Sequence, residues 1–398
     1  MSALGLCLMM LLAWGLSNNR RKIEWRAILG GLGLQFFFAY IVLCTELGKT
    51  FFDLTKDAVN AVMAMSDQGA RFLFGDSLTG AGIFAFKVLP TIIFVSSLSY
   101  VLFYWGVIQK IVQSIAWVMK VAMNISAIEG LVTAANIFSG QTEAPLFVKP
   151  YLRSMTRSEI MTMMTGGMAT VSGGIMAAYV SFGVSPGHLL AASIMSAPAA
   201  ILISKLIHPE TEESPTKGKI RVHLEIGDSN TFEAACTGAS EGLKLALNVG
   251  AMLIAFIALV ALVNLMVDRV GGVFGFHTTL ENMLGVFFQP LSFLMGVSWE
   301  ESAIIGRLFG ERMVLNEFLA YIHLGSEIKA ATLSERSVAI ATYGLCGFAN
   351  FSSIAIQIGG IGALEPSRKG DFAACGFKAM LGGTLACFMT ACIAGILL

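Results

Sequence analysis

The heptapeptide Gly167-Met168-Ala169-Thr170-Val171-Ser172-Gly173 can be laid over Gly347-Phe348-Ala349-Asn350-Phe351-Ser352-Ser353, with Gly, Ala and Ser in register and Thr facing Asn. Each copy follows a polar segment that holds an acid, Glu143 before the first and Glu317 before the second. A short match in Gly, Ala and Ser can arise by chance, so its surroundings decide. Those surroundings are apolar. Runs at 28–44, 83–108, 246–267 and 373–398 come near or exceed the roughly 20 residues that cross a bilayer as helix. Of 398 residues, 56% are hydrophobic and 13% charged, with mean hydropathy +0.74; soluble domains carry about twice that charge. No stretch alternates like a barrel strand, so the spans are helical. The chain reads as an all-α integral membrane protein.

Positive residues in short loops mark the cytoplasmic side. An apolar run at 3–16 is followed by Arg20, Arg21, Lys22 and Arg26. A signal peptide carries its charges ahead of the apolar part, so this run reads as a first span with its N-terminus outside. Residues 51–75 mix Asp53, Lys56, Asp57, Asp67 and Arg71 with apolar side chains, the pattern of a helix lying on the outer surface. The 83–108 run returns inward, Lys110 and Lys120 flank a second surface helix, and Lys149, Arg153 and Arg157 mark the next inner segment. The polar stretch 208–233, with Lys217, Lys219 and Arg221, reads as a cytoplasmic loop. Arg368 and Lys369 lie inside before a last span that leaves the C-terminus outside.

This count closes at about eight full spans only if regions 125–154 and 282–324 each enter and leave on one side. Polar residues interrupt both: Gly140-Gln141-Thr142-Glu143 in the first, Ser298-Trp299-Glu300-Glu301-Ser302 in the second. They read as two re-entrant helical hairpins, since non-helical backbone at membrane depth persists only when buried in protein or lining a wet cavity. Hairpin, broken helix and helix, then the same again upside down, is the inverted repeat of secondary transporters. Their binding sites lie where the repeats meet.

Net charge is zero and the isoelectric point is near 7.0, which gives no basic face for nucleic acid. The seven cysteines show no metal-ligand spacing, and the five histidines are scattered in or near loops. Neither a phosphate loop nor a nucleophile–base pattern appears, which argues against an enzyme.

An ionisable side chain near the bilayer centre costs at least roughly 2.5–3.5 kcal/mol, so Glu143 and Glu317 either line an aqueous site or are satisfied by helix ends. Gln141, Thr142, Asn316, Asn350, Ser352 and Ser353 surround them in sequence. No Arg or Lys adjoins these polar tips; Lys149 and Arg312 are the nearest, and either can sit at the membrane edge. Such neutral amides, hydroxyls and acids suit a neutral polyhydroxylated solute. A carboxylate accepts two hydrogen bonds from a ribose diol, and amide side chains suit the edge of a base.

The run Asn136-Ile137-Phe138-Ser139-Gly140-Gln141-Thr142-Glu143-Ala144-Pro145 resembles the first hairpin tip of the concentrative nucleoside transporters. Asn316-Glu317-Phe318 and the heptapeptide from Gly347 to Ser353 resemble that family's second hairpin and following helix. The likeness covers nearly the whole chain, including Leu245-Ala246-Leu247-Asn248-Val249-Gly250-Ala251-Met252-Leu253-Ile254-Ala255-Phe256. It implies a bacterial inner-membrane homotrimer in the lipid bilayer, with eight spans per chain and a transport unit moving elevator-fashion against a scaffold. It implies a symporter that imports nucleosides such as uridine, co-transports a sodium ion and uses no organic cofactor.

By the same resemblance, Gln141, Thr142 and Glu143 hold the nucleobase, Glu317, Asn350 and Ser353 hold the ribose hydroxyls, and Phe348 and Ile175 pack nearby. The implied sodium ligands are the carbonyls of Asn136, Ser139 and Val171 and the hydroxyl of Thr170. Unwound carbonyls at helix breaks suit such a cation. Proton-coupled members of that family tend to carry Ser and Asn around the hairpin acid, so by the resemblance Thr142 and Ala144 favour sodium over a proton. A proton-coupled nucleoside carrier is the nearest rival, and a passive channel is a reading that the inverted repeat opposes. On this reading residues 1–124 are scaffold spans with interfacial helices, 125–206 the first transport repeat and 207–240 a cytoplasmic loop. Residues 241–281 are a scaffold span and loop, and 282–398 the second, inverted repeat.

Overall fold

The computed structural model describes residues 1–80, 83–216, 229–273, 275 and 277–398. Of the described residues, 82% are helical, and none lies in a strand. It opens with the short apolar helix α1 (Ser2–Gly15) and the span-length α2 (Trp25–Cys44). The next helix, α3 (Glu46–Gly80), is interrupted at Gly75 (φ +78°) and buries only Gly48, Ser66 and Ala70. It extends the expected surface helix by five residues at each end, and its polar composition keeps it out of the span-length apolar set. After α4 (Phe84–Tyr104), α5 (Val107–Met123) buries Val112, Ala116, Met119 and Met123. Their spacing of three and four puts them on one face.

The first hairpin forms as the polar interruption requires. Helix α6 (Ala127–Ala135) descends, residues 136–143 turn, and a 3-10 segment (Ala144–Tyr151) returns. Pro145 and Pro150 deny the return arm the amide donors of a regular α-helix. Helix α7 (Arg157–Ala169) breaks at 170–172 and continues as α8 (Gly173–Ser181), and α9 (Pro186–Ile207) follows. Capping boxes start α6 (Ser126 with Glu129) and α7 (Thr156 with Glu159), satisfying amides that a helix start leaves open.

The second half repeats this order. Helix α10 (Thr231–Val273) is followed by α11 (Leu280–Leu294), a hairpin of α12 (Trp299–Val314) and α13 (Glu317–Ala330), a helix broken between α14 (Glu335–Leu345) and α15 (Phe351–Leu364), and α16 (Lys369–Leu397). By length and composition, six helices of the described chain can cross a membrane, with α7 and α8 counted as one.

Three expectations change. The second hairpin turns at Leu315-Asn316, not at Ser298–Ser302. The polar run instead marks a 120° bend between α11 and α12. There Ser298 caps α12, and the Glu301 carboxylate accepts from the Ser334 amide (2.7 Å) and from the Ser334 and Ser337 hydroxyls. The Glu301 carboxylate is thus satisfied at the foot of α14 rather than at a hairpin tip. The heptapeptide match is also out of register: Thr170 follows the end of α7, whereas Asn350 is the N-cap of α15, a role held in the first half by Ser172. Finally, α10 begins at Thr231, so residues 231–240 of the expected loop are helical; Asn230 accepts from the Glu233 amide at 3.0 Å to start that helix. Lys217, Lys219 and Arg221 lie outside the described residues.

The remaining segments assigned to the cytoplasm gather at one end. The Asn18 amide donates to the Ile207 carbonyl (2.9 Å), Ser158 to the His208 carbonyl (2.8 Å), and Arg157 meets Asp371 at 3.0 Å. Arg368 donates to the carbonyls of Arg153 and Met155, each at 2.8 Å. At the opposite end, Ser2 donates to the Met295 carbonyl (2.9 Å) and Arg336 to that of Gly395 (2.5 Å). Helix α9 therefore ends where α16 begins, and the two run in opposite directions.

Near the first end, Lys205 and Glu129 form an ion pair at 2.6 Å, each side chain 2% exposed. Thr162 donates to the same Glu129 oxygen at 2.8 Å, and Lys205 donates to Ser158 at 2.8 Å. Hairpin, α7 and α9 are joined there by one polar network. Removing one partner of such a pair typically costs 3–5 kcal/mol, because it leaves an uncompensated buried charge.

Candidate functional site

The two helix breaks cross. Gly347, at φ +98°, lies so close to α7 that a Cβ there would come 2.4 Å from the Met168 carbonyl oxygen. Glycine fits both the left-handed backbone and the contact. This crossing brings the polar residues of both halves together.

Asn316 caps α13 by accepting from the Leu319 amide at 2.9 Å, which sets Glu317 in the first turn. Asn350 caps α15 in the same way: its Oδ1 accepts from the Ser353 amide (2.9 Å) and the Ser352 hydroxyl (2.7 Å). With the oxygen so held, the Asn350 NH2 donates to Glu317 Oε2 at 2.8 Å. Across from it, Gln141 in the first hairpin turn donates to Ser353 Oγ at 3.1 Å. The expected residues Gln141, Ser353, Asn350 and Glu317 thus form one chain of polar contacts, all buried.

Glu143 sits apart. It accepts from the Gly140 amide at 3.1 Å and, with Ser139, lines a cavity of about 740 Å³ that reaches Lys149, Arg153 and Glu365. Thr142 turns its methyl to α15, where it lies 2.8 Å from the Cβ position of Gly360. Phe348 and Ile175 are buried near the two breaks. Arg312 is not at a membrane edge: it is fully buried, donates to the Gly344 carbonyl at 2.7 Å and stands 5.9 Å over the Phe388 ring.

Behind the first turn lies a set of oxygens. Among the described residues, no hydrogen bond ends on the carbonyls of Asn136, Ser139 or Val171, and the buried Asn136 Oδ1 has no partner. Thr170 donates to the Gly166 carbonyl at 2.9 Å, which leaves its own lone pairs free. The Gly173 amide donates to the Phe138 carbonyl (3.1 Å) and ties the turn to α8. Buried polar oxygens are seldom left unpaired, and oxygen donors of this kind are the type that suits a hard monovalent cation.

Sequence reasoning missed two neighbours. Tyr179 donates to Glu317 Oε1 at 3.4 Å and stacks on Tyr321 with ring centroids 4.1 Å apart. Gln357 reaches Gln141 from α15. Each stands one helical turn beyond a residue already singled out, Tyr179 after Ile175 and Gln357 after Ser353, and that spacing was the available signal.

Family models described as Na+ dependent nucleoside transporter N-terminus, nucleoside recognition, and Na+ dependent nucleoside transporter C-terminus match residues 4–77, 85–186 and 188–395 in turn. The chain belongs to the concentrative nucleoside transporter family. Among members of that family, an uncharacterized transporter of Haemophilus influenzae is 44% identical over 99% of this chain and 97% of its own length. Mouse solute carrier family 28 member 3 is 45% identical, and the match covers 99% of this chain but 58% of the mouse protein. Rat sodium/nucleoside cotransporter 1 is 41% identical, with 99% and 63% covered. The chain thus spans less than two thirds of the animal transporters it matches. The transporter CNTnw in an inward-facing substrate-bound state superposes with a TM-score of 0.93 at 40% identity, covering 100% of this chain and 97% of that one. A CNTnw variant in an outward-facing state gives 0.94, also at 40% identity, with 100% and 96% covered.

Proposed function

We propose that this protein imports nucleosides, uridine among them, by symport with sodium across a bacterial inner membrane. The observation that carries this reading is the crossing of the two breaks, where a chain of amide, hydroxyl and carboxylate groups lies beside unpaired backbone oxygens. Glu317, Asn350 and Ser353 take the ribose hydroxyls, and Gln141, Thr142 and Glu143 take the base. Phe348 and Ile175 pack against the solute. Sodium takes the carbonyls of Asn136, Ser139 and Val171 and the Thr170 hydroxyl. The groups that meet at the crossing itself, Gln141, Ser353, Asn350 and Glu317, are amides, a hydroxyl and a carboxylate, which suits a neutral solute.

The mechanism follows from shared backbone. The first hairpin turn supplies both sodium ligands and Gln141, so sodium fixes the turn and lowers the cost of ordering the amide. Coupling of this kind is reciprocal: nucleoside tightens sodium by the factor by which sodium tightens nucleoside. Elevator motion of the two repeats, inverted with respect to each other, then carries both ligands past a scaffold within a homotrimer. The recurring order of elements and the opposed α9 and α16 support the inverted repeat. Counting α1 and the broken α14–α15 with the six longer helices supports eight spans with both termini outside. The cavity running from Glu143 to Lys149 and Arg153 supports a state open to the cytoplasm.

Uridine uptake into proteoliposomes tests this. It is run with an inward sodium gradient at equal pH, and with a proton gradient without sodium. Accumulation driven by sodium alone is expected. Accumulation driven by protons alone would keep the substrate and remove the cation site, and no uptake by folded protein would end the transport reading.

A further inference from the structure

Gln357 lies on α15, buried, one helical turn beyond Ser353. Its amide nitrogen donates to two acceptors at 3.1 Å each, the Met164 carbonyl of α7 and Oε1 of Gln141. A backbone carbonyl can only accept. The end of Gln357 that faces it must therefore be the NH2, and the atom this NH2 meets on Gln141 must be the amide oxygen. Gln141 is left with its own NH2 to turn toward Ser353, and it donates to Oγ there. The Ser353 oxygen is thus engaged as an acceptor, and its single proton is left to point elsewhere. The two ends of a glutamine amide are usually interchangeable to the eye, but the Met164 carbonyl removes the choice along this chain.

Two further observations single out the nitrogen of Gln357. Its Oε1 is buried without a partner, so the side chain is not held there by its oxygen. Space for the amide depends on Gly167, where a Cβ would lie 2.7 Å from Gln357 Nε2 and 3.0 Å from Gln141 Cβ.

We infer that Gln357 is a positioning residue that sets the polarity of nucleoside recognition: acting through Gln141, it makes the Ser353 hydroxyl a hydrogen-bond donor to the substrate. The inference rests on the nucleoside-transport reading. Asn350 is oriented by the Ser353 amide, and Gln141 by the Met164 carbonyl by way of Gln357. The ribose diol then meets the acceptor Glu317, the second hydrogen of the Asn350 NH2, and Ser353 as a further donor. A hydroxyl that serves Glu317 must give a proton; a group that serves Ser353 need only accept one.

Fluorine separates these roles, because it accepts weakly and cannot donate. Uptake of uridine and its 2′-deoxy, 2′-fluoro-2′-deoxy, 3′-deoxy and 3′-fluoro-3′-deoxy analogues is measured with the full chain in proteoliposomes under a sodium gradient. In the unaltered protein, fluorine at one of the two positions is expected to outperform hydrogen by about threefold or more, the size of a single neutral hydrogen bond. Gln357→Met keeps length and removes the donor, which frees Gln141 to turn its oxygen to Ser353. The fluorine preference should then vanish and the uridine KM at saturating sodium rise about tenfold, with kcat unchanged. Mere space-filling by Gln357 would leave the preference intact. Gln357→Leu removes the donor with a different shape and should give the same loss even if Gln357→Met does not fold. A preference retained in the folded variants overturns the inference, as does its absence at both positions in the unaltered protein. Failure of the unaltered protein to take up uridine at all overturns the transport reading instead.

Discussion

The two helix breaks share one architecture and present opposite chemistry. In the first half, α7 ends at Ala169 and α8 starts at Gly173, and the main-chain oxygens of Asn136, Ser139 and Val171 accept no hydrogen bond among the described residues, with the Thr170 hydroxyl beside them in the chain. In the second half the gap runs from Cys346 to Asn350, and its polar groups are the side chains of Asn350, Ser353 and Glu317. A bare cation needs only oxygen lone pairs, which interrupted backbone supplies. A nucleoside needs donors and acceptors in set places, and only side chains provide both. Duplicated geometry can therefore serve two ligands, if one copy adds main-chain oxygens for the cation while side chains of both copies meet the nucleoside.

The largest test of that contrast falls on the side-chain half. Glu317→Gln keeps shape and removes charge, and sodium-driven uridine kcat/KM should fall about 100-fold, as expected for a lost charge-assisted bond of up to about 3 kcal/mol. Detergent-solubilised variant that still elutes as one folded species, with sodium binding intact, would confirm that the loss is confined to the substrate. Normal transport would instead remove Glu317 from the ribose. A smaller effect is expected in the main-chain half. Thr170→Val deletes its one hydroxyl ligand and should weaken the apparent sodium affinity about tenfold, leaving the uridine KM at saturating sodium unchanged. A shift in the uridine KM without a shift in sodium would erase the division between the halves. The smallest change belongs to Tyr179→Phe. Its bond to Glu317 is long at 3.4 Å, so uptake should drop by only about twofold, measured in the same liposomes.

How much of this was legible varied with local contrast. Gly140-Gln141-Thr142-Glu143 stands out against apolar neighbours, so the first hairpin could be placed from sequence. The second turn offers Leu315 and Asn316 with Glu317 after them, and the louder polar run at Ser298–Ser302 drew the reading away to a bend where Glu301 is met by Ser334 and Ser337. The order of elements was readable because hydropathy and loop charge both report it. Register was not, since the first gap has three residues and the second five, and a run of Gly, Ala and Ser aligns either way. Gln357 and Tyr179 are single polar groups on otherwise apolar helices, and their meaning depends on what faces them across the crossing. The capping-box spacings Ser126–Glu129 and Thr156–Glu159 were present in the sequence. That Glu129 also meets Lys205 could not be read from either residue alone.

That last pair bears on how the chain is made. A ribosome delivers the first hairpin, with Glu129 at the foot of α6, well before Lys205 emerges in the last turn of α9. During that interval the carboxylate has Thr162 and its own cap but no counter-charge. Lys205 in turn is an ammonium that a membrane accepts poorly without a partner. The first half gains the counter-charge for Glu129 only when the last turn of α9 has been made. A nascent chain that stalls or misinserts before then exposes an unpaired charge to the machinery that sorts finished membrane proteins from failed ones.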